Sequence, residues 1–457
     1  MRLRHALLSL PLVTLFQLPA HADARALLEE LVGIDTSNPP GQEEKAARAV
    51  AAHLTAAGVK YELVPFAPGR SSLVARLRGD GKKRPLILMA HLDVVGAANQ
   101  PWTTPPFQLT EKDGWLYGRG VSDDKGWAAL ATTVFVELAQ KKTRLHRDVI
   151  LVLAGDEESG GAGVRNLLET RKELIGDAEL ALNEGGGIKL DATGKVVAIG
   201  FQASEKTYQD FEIVARGHGG HSAVPNDENA IYRLARGLAK LETFRFAPRL
   251  TPAVREMLRA AAQTQPEPRA TALRKVADSQ DAPPADALAI LDSYPLTRAM
   301  TRTSCVATLV QGGTRENALP VEAKANVNCR ILPVESVADV AKQLTAVLAD
   351  PLLEVHAKTE FGAGPEIPID GPVRAALRKV ADEQFGKTVV VAAGVGLGAT
   401  DSRFLRKAGI QSYGVGLLPK PEELIRNPHG PDEAVPVASV AMGEKFLRAL
   451  VRELAEK

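Results

Sequence analysis

The sequence predicts an α/β fold, a mixed sheet covered by helices, into which a smaller α+β domain of ferredoxin-like order is inserted. Short, continuous apolar runs alternate with helical segments up to about residue 205, which is typical of strands buried on both faces of a sheet. From about residue 207 the order of elements changes to β-α-β-β-α-β. After Pro368 the α/β alternation returns, so the small domain lies inside the larger one.

The first part of the large domain shows the alternation most clearly. Its apolar runs are too short for helices and are bounded by turn residues, so we interpret them as strands. In chain order we predict helices over 23–34 and 43–57, strands over 72–77 and 86–89, a helix over 125–140, a strand over 149–154, a helix over 164–170 and a strand over 180–183.

The small domain is predicted from its own strands and helices. In chain order these are a strand over 208–215, a helix over 229–241, a hairpin with strands over 304–310 and 321–331, a helix over 337–348 and a strand over 353–359. A segment over 243–303, rich in Ala, Arg and Pro, separates the first helix from the hairpin and is expected to be helical in pieces. The returning α/β part contains a helix over 373–385 and a glycine-rich segment over 394–398.

Length and composition exclude several classes of protein. The chain has 457 residues, which suits two domains better than one core. Lys and Arg number 56 against 55 Asp and Glu, a formal charge of +1. Because binding to nucleic acid depends on a basic excess, nucleic acid is not an expected partner. No apolar run in 23–457 is long enough to span a bilayer.

The N-terminal segment has the pattern of a secretory signal peptide. Arg2 and Arg4 precede an apolar stretch over 6–18, and Ala20 and Ala22 supply small residues before a cleavage site. We predict cleavage after Ala22 and a periplasmic or secreted protein. A membrane anchor or a buried first helix is the alternative.

The two cysteines exclude a disulfide-rich scaffold and a thiolate zinc site. Cys305 and Cys329 fall on the two strands of the predicted hairpin, close to opposite positions. A cross-strand disulfide and a pair of buried free thiols are both compatible with this placement.

Carboxylates and histidines follow the buried strands of the large domain. His91 comes after one strand, and Asp93 could fix its tautomer by accepting the second ring N–H. Asp123 stands between glycines before a helix, where a helix cap is the plain alternative. Glu157 and Glu158 follow the strand over 149–154, and like charges this close need a cation or a proton unless they form a solvated acidic loop.

Two further candidate ligands complete the pattern. Glu184 ends another strand, and His429 lies near the C-terminus. Residues that gather at strand ends of an α/β fold form its usual binding site. Oxygen and imidazole ligands without thiolate suit Zn²⁺, with Mn²⁺ or Co²⁺ as possible substitutes.

These residues stand in an ordered set of five motifs. The motifs are His91-x-Asp93, Gly118-Arg119-Gly120-x-x-Asp123-x-Lys125-Gly126, Glu157-Glu158-x-Gly160, Glu184-Gly185-Gly186 and His429-Gly430-Pro431-Asp432-Glu433. The set resembles the co-catalytic zinc peptidase family of aminoacylase, carboxypeptidase S, carboxypeptidase G, carnosinase-type dipeptidases and succinyl-diaminopimelate desuccinylase. The likeness covers nearly the whole mature chain. It implies a catalytic domain formed by 23–205 and 364–457, and a lid and dimerisation domain over 206–363.

The resemblance implies a ligand set for two zinc ions per subunit. His91 and Glu184 would hold one ion, Glu158 and His429 the other, and Asp123 would bridge them.

The resemblance also assigns roles around the ligands. Asp93 would orient His91, Glu157 would be the general base, and the peptide bond between Asp123 and Asp124 would be cis. Asn183 departs from the pattern, because carboxypeptidase S-like members usually carry Asp there. We expect this to affect the surroundings of the ligands and not the number of metals.

The inserted domain contributes further implied residues. His221 falls in a lid motif whose histidine reaches the active site of the partner subunit, which implies a homodimer and a role in stabilising the oxyanion. Asn317, Arg330 and Thr400 match substrate-binding positions. Arg330 suits a substrate carboxylate because its fork donates two parallel hydrogen bonds.

Three functions follow as hypotheses. The first is a dizinc carboxypeptidase or dipeptidase that cuts amide bonds beside a free carboxylate in short peptides. The second is an N-acyl-amino-acid hydrolase, an activity also found among relatives with a long insert like 243–303. The third is a non-enzymatic binding relative, which the complete set of ligands and Glu157 argues against.

Overall fold

The computed structural model describes residues 23–280, 282–358, 362, 364–421 and 428–456. The predicted signal peptide over 1–22 and the predicted strand end at Thr359 lie outside these ranges. The helices are α1 (Ala24–Val32), α2 (Glu43–Ala56), α3 (Lys125–Gln140), α4 (Ala162–Thr170), α5 (Ala230–Thr243), α6 (Pro252–Ala261), α7 (Arg269–Asp278), α8 (Ala285–Asp292), α9 (Pro295–Thr301), α10 (Val337–Leu348), α11 (Pro372–Phe385), α12 (Ser402–Lys407) and α13 (Val437–Val451). None of these helices is both long enough and apolar enough to cross a membrane, within the part of the chain that the structure describes.

The strands begin in the large domain and continue through the insert. They are β1 (Tyr61–Ala67), β2 (Arg70–Leu77), β3 (Leu86–His91), β4 (Thr110–Lys112), β5 (Trp115–Tyr117), β6 (Val149–Ala154), β7 (Leu180–Asn183), β8 (Gly187–Leu190), β9 (Val196–Glu205), β10 (Thr207–Arg216), β11 (Gly220–His221), β12 (Ser304–Gly312), β13 (Ala318–Leu319), β14 (Glu322–Ile331), β15 (Leu353–Ala357), β16 (Val390–Gly396), β17 (Gln411–Val415), β18 (Lys420–Pro421) and β19 (Ala434–Pro436).

The large sheet is mixed, as the sequence predicts. Within the described ranges it has ten strands in the order β1-β2-β6-β3-β7-β17-β9-β8-β18, with β16 paired to β9. Strand β3 runs parallel to both β6 and β7, whereas β2 runs antiparallel to β6. Because β3 and β6 are buried along their whole length, their side chains are apolar on both faces and read as continuous runs.

Helices cover both faces of this sheet. Leu86 and Leu88 of β3 point into one core, which they share with α1, α2, α3, α11 and α13. Ile87 and Met89 point into a second core with α4 and α12. The alternation of side chains along β3 therefore feeds two apolar layers, and this sandwich fixes the strand ends that carry the candidate site.

A second, antiparallel sheet has the ferredoxin-like order expected from the sequence. Its four described strands lie in the order β12-β14-β10-β15, and α5 and α10 share its apolar core. Buried and half-buried residues alternate along β14, so one face packs on the helices and the other carries polar residues such as Arg330. The division of the chain into a catalytic and a lid domain remains a prediction.

The long segment between α5 and β12 is helical in pieces, as expected. Helices α6, α7 and α8 form a small apolar core of their own, which also includes Leu332 and Val395. Glu256 on α6 accepts hydrogen bonds from the backbone N–H of Ala393 (3.1 Å) and from Arg374 (2.7 Å). These contacts attach the segment to β16 and α11 of the large sheet.

Cys305 and Cys329 form a disulfide. They occupy directly opposite positions on β12 and β14, with Cα atoms 4.0 Å apart. Of the two states that the sequence leaves open, the structure therefore has the cross-strand disulfide.

Candidate active site

Parallel strands bring the acidic and imidazole side chains to one edge of the large sheet. His91 is the last residue of β3, Glu157 and Glu158 follow β6, and Glu184 follows β7. Since these three strands are parallel neighbours, their carboxyl ends meet at the same edge. Asp123 joins them from the loop before α3.

Two groups of side chains in the described chain have the geometry to hold a metal ion each. In the first, Nε2 of His91 lies 3.0 Å from Asp123 and 3.8 Å from Glu184. In the second, Nε2 of His429 lies 3.3 Å from Asp123 and 3.2 Å from Glu158. Asp123 belongs to both groups, one carboxylate oxygen facing each histidine, which is the arrangement of a bridging carboxylate.

The ring of His91 is oriented by Asp93, but mainly through a different atom from the one expected. Nδ1 of His91 lies 2.9 Å from the backbone carbonyl oxygen of Asp93 and 3.5 Å from its carboxylate. The carbonyl is therefore the nearer acceptor for the ring N–H, and Nε2 is left to face Asp123.

The carboxylate of Asp93 instead holds the loop of the two glutamates. It accepts hydrogen bonds from the backbone N–H groups of Glu157 and Glu158, each 3.1 Å long, and from the side-chain amide of Asn38 at 2.9 Å. Asp93 is fully buried, so water competes little for these hydrogen bonds. One residue thus fixes both the His91 ring and the two glutamates after β6.

The electrostatics of the cluster favour a bound cation. Burial raises the pKa of Glu184 well above its usual value, and repulsion from Glu157 adds to the effect. Hydrogen bonds with Asp123 and Glu158 raise the pKa of His429 to about 10. Oε1 of Glu158 is buried and has no hydrogen-bond partner among the described residues. An oxygen without a partner, in a set of carboxylate and imidazole donors, is what a divalent metal would complete.

A cavity of about 760 Å³ opens beside the ligand groups. Glu157 and Arg330 line it, together with Tyr208 and Arg403. The guanidinium of Arg330 stacks over the ring of Tyr208, 4.6 Å from its centroid, and the Tyr208 hydroxyl donates to Asp210 at 3.0 Å. Arg330 is thereby presented to the cavity on an aromatic support.

Thr400 lines the same cavity but its polar atoms already have partners. Its hydroxyl donates to Glu205 at 2.8 Å and accepts from the backbone N–H of Ser402 at 3.1 Å, and its own N–H donates to Glu205. Its hydroxyl proton is therefore committed, and Thr400 shapes the loop more than it offers a donor.

His221 and Asn317 lie together but away from this cavity. Strand β11 pairs with β13, and Ser222 donates its backbone N–H to the carbonyl oxygen of Asn317 at 3.0 Å. Neither residue lines the cavity of its own chain. Nδ1 of the exposed His221 accepts from the backbone N–H of Ala223 at 3.1 Å, which leaves Nε2–H as a donor.

Residues 87–453 match the model of a protein family, "Peptidase family M20/M25/M40". The chain belongs to this family. Its members are hydrolases of amide bonds, which agrees with the function class expected from the five motifs.

Individual relatives support the same membership. The chain is 28% identical to the human N-fatty-acyl-amino acid synthase/hydrolase PM20D1 over 391 residues, which are 82% of this chain and 74% of that protein. It is 28% identical to carboxypeptidase S of Saccharomyces cerevisiae over 273 residues, 57% of this chain and 47% of that one. The M20 metallo-carboxypeptidase Sso-CP2 of Sulfolobus solfataricus has the same fold, with a TM-score of 0.71 at 19% identity over 94% of this chain and 98% of that one.

Two details of the M20 motifs can be read in the structure. The peptide bond between Asp123 and Asp124 is cis, as the resemblance implies. The atypical Asn183 is buried at the end of β7 and donates its amide to the hydroxyl of Ser402 at 3.1 Å. Its side chain is therefore joined to α12, and its effect on the ligands stays a prediction.

Several residues that shape this M20 site carry no signal strong enough to be assigned from sequence. Asn38 lies in a turn-rich segment, and Tyr208 sits at the start of β10 with no motif of its own. Arg119 and Glu433 belong to two of the five motifs, but the motifs do not indicate what either side chain contacts. Tyr208 and Arg330 are directly paired across β10 and β14. Knowledge of that register would have been needed to predict their stacking contact from the sequence.

Proposed function

We propose that the chain is an exported, dizinc hydrolase that cleaves amide bonds next to a free carboxylate, acting as a carboxypeptidase or dipeptidase on short peptides. The observation that carries the proposal is the pair of ligand groups that share Asp123 beside a cavity lined by Glu157 and Arg330. His91 and Glu184 hold one ion in this proposal, and Glu158 and His429 hold the other.

The chemistry divides between the metal pair and Glu157. Two divalent ions held by these ligands would supply Lewis acidity toward the scissile carbonyl and toward water. Glu157 accepts a proton from the attacking water, whose oxygen bonds to the scissile carbonyl carbon, and returns that proton to the amine as the C–N bond breaks. Burial raises the pKa of Glu157 well above its usual value, and nearby Asp401 and Glu158 add to this against the attraction of His91. A carboxylate in such surroundings is suited to hold a proton between the two steps.

Arg330 gives the proposal its requirement for a free carboxylate. The guanidinium is held over Tyr208 on the cavity wall, on the half-buried face of β14. A substrate carboxylate that pairs with this fork is fixed in two directions, which positions the adjacent amide bond. Thr400 supports the same wall through its bonds to Glu205.

N-acyl amino acids are the second candidate substrates. The human relative is named an N-fatty-acyl-amino acid synthase/hydrolase, and its alignment spans more of the chain than that of carboxypeptidase S. The same ligands, base and arginine would serve an acyl amide, since it also has an amide bond beside a free carboxylate.

A substrate screen distinguishes these candidates. Zinc-loaded protein would be incubated with dipeptides, tripeptides and N-acyl amino acids, and products identified by mass spectrometry, with Glu157→Ala as the inactive control. Release of C-terminal residues from peptides supports the peptidase, whereas cleavage confined to acyl amino acids makes the chain an acylase. No turnover of any substrate by a protein that binds two metal ions would refute both.

The working unit in this proposal is a homodimer formed through the β12 sheet. Strand β12 is at the edge of its sheet, and Val306, Leu309 and Val310 on it are 60–63% exposed. An apolar edge strand that is left open is a template for pairing with a second chain. Such a dimer would let His221 act in the partner's active site, which fits its absence from the cavity of its own chain.

Export completes the proposal. The predicted signal peptide over 1–22 lies outside the described residues, but the Cys305–Cys329 disulfide supports an oxidising compartment. We therefore propose a periplasmic or secreted location with cleavage after Ala22, to be checked by N-terminal sequencing of the mature protein.

A further inference from the structure

The two ligand groups differ in how the chain carries them. In the first group, His91 is 2% exposed and forms the last residue of a buried strand. In the second group, the His429 side chain is 59% exposed and lies in a loop before β19. The distance from His429 to Asp123 therefore depends on the contacts between the loop before β19, which carries His429, and the loop before α3, which carries Asp123.

Glu433 makes that connection from the His429 side. It is fully buried, and its carboxylate accepts four hydrogen bonds. Oε1 accepts from the backbone N–H groups of Ser122 (2.8 Å) and Asp123 (3.1 Å). Oε2 accepts from the N–H of Gly120 and the guanidinium of Arg119, both at 2.9 Å. Four donors occupy the lone pairs of an ionised carboxylate.

Arg119 makes the connection from the Asp123 side. It is also fully buried, and it donates to the carbonyl oxygens of Pro428 (2.5 Å) and Gly430 (3.1 Å), on either side of His429. A further bond at 2.9 Å goes to the side chain of Gln100. A planar guanidinium with five donors can serve these acceptors together, whereas a lysine ammonium cannot reach them in one plane.

We propose that Glu433 and Arg119 act as a clamp that sets the spacing of Asp123 and His429, and that binding of the second metal ion depends on it. Both are positioning residues, since they act through the ligands and touch neither metal nor substrate. Asp123 belongs to both groups, but the first group depends less on the clamp, because strands β3 and β7 fix its other two ligands, His91 and Glu184. The inference rests on the proposed function in one respect, that the two groups bind metal.

Glu433→Gln tests the clamp with little change of shape. The amide turns an N–H donor toward backbone N–H groups, so the loop must shift. Calorimetric titration of metal-free protein with Zn²⁺ should show the second site weakened about 10–100-fold, the range for partners of metal ligands, and the first site weakened less. Glu335→Gln is the matched control, because its side chain is 4% exposed and bonds to Arg249 and Thr303 away from the ligands. It should keep both sites.

Double variants identify which site is weakened. His429→Ala combined with Glu433→Gln should bind no less metal than His429→Ala alone, because both changes act on the same site. Glu184→Ala combined with Glu433→Gln should bind neither ion tightly. Equal weakening of both sites in a folded Glu433→Gln protein, or no weakening, would overturn the clamp.

Folding and function are separated by two further measurements. If circular dichroism shows that Glu433→Gln does not fold, Arg119→Lys replaces it as the test variant. Selective loss of one metal site in Arg119→Lys supports the clamp, and two intact sites overturn it. A wild-type protein that binds two ions but cleaves no amide would refute the proposed function, while the titrations would still judge the clamp. A wild-type protein that binds fewer than two ions would overturn the clamp as well.

Discussion

Single residues near the site show where local reasoning from sequence succeeds and where it fails. His91 and Asp93 were expected to pair through the carboxylate, as residues two apart on an extended chain do. The carbonyl oxygen of Asp93, however, is the nearer acceptor, at 2.9 Å from Nδ1 against 3.5 Å for the carboxylate. The carboxylate is free to hold Glu157 and Glu158, a contact that spans 64 residues and has no local signature.

Glu157 is the residue whose loss should stop catalysis without removing the metals. Glu157→Gln keeps the size of the side chain but cannot take a proton, so kcat should fall about 10²–10⁴-fold. Metal content, measured by mass spectrometry of the ashed protein, should stay at the wild-type value. Glu169→Gln on the exposed side of α4 is the control and should change neither quantity. Near-full activity of Glu157→Gln with both ions bound would show that another group is the base.

Arg330 should determine the requirement for a free carboxylate. Hydrogen bonds to a charged partner contribute about 1.5–3 kcal/mol, so Arg330→Met should raise KM roughly 10–100-fold with a smaller change in kcat. Arg330→Lys keeps the charge but loses the forked guanidinium, so its KM should lie between those of the wild type and Arg330→Met.

A paired substrate separates recognition from general damage. The wild type should prefer a peptide with a free C-terminus over the same peptide ending in a carboxamide, and Arg330→Met should treat the two alike. If the variant kept the full preference, the carboxylate would have to bind elsewhere.

Some secondary structure elements were predicted to the residue, and others were missed. Strands β6 and β7 and helix α3 begin and end at the predicted residues, because their apolar runs are uninterrupted and bounded by turns. Strand β1 was missed, since only Val64 of its seven residues is buried and Pro65 interrupts it. Strand β16 was read only as a glycine-rich segment, yet its pairing with β9 makes it part of the sheet.

The β12–β14 hairpin should depend on its disulfide. Replacing Cys305 and Cys329 together by Ala frees a loop of 24 residues in the unfolded chain, so the free energy of unfolding should fall by about 2–4 kcal/mol. Urea denaturation of the variant and of wild type with reductant should give similar, lower midpoints than oxidised wild type. Identical midpoints in all three samples would mean that the bond adds no stability.

At the scale of the whole molecule, the site is spread over distant parts of the chain. Strand ends of the large sheet and two loops beside it supply the ligands, the β12 sheet supplies Arg330, and the insert over 243–303 is fastened to β16 by Glu256. His221 and Asn317 do not line the cavity of their own chain, and our proposal places His221 in the active site of a second copy.

Mixing two inactive variants tests this dimer. Glu157→Ala lacks the base and His221→Ala lacks the residue given to the partner, so each homodimer should be nearly inactive. After subunits exchange at random, half of the dimers are mixed and each has one complete site, which restores about a quarter of wild-type activity. The mixture should also elute as a dimer in size-exclusion chromatography.

The same mixture can reject the model. If His221 acted within its own chain, no mixed dimer would gain a complete site and activity would stay at the level of the separate variants. Full activity of His221→Ala alone would show that the residue takes no part in catalysis.

The sequence by itself determined the buried strands β3, β6 and β7, the order of the small domain and the set of candidate ligands. Apolar runs reveal buried strands such as β3 and β6, and ligands that follow parallel strands must meet at one edge. The tertiary structure decided how those ligands are held. The bond from Glu433 to the Asp123 loop and the disulfide join residues that are far apart in the chain. His221, in contrast, does not line the cavity of its own chain. Such contacts depend on how whole layers pack, because residue type and spacing limit which partners are possible but do not choose among them.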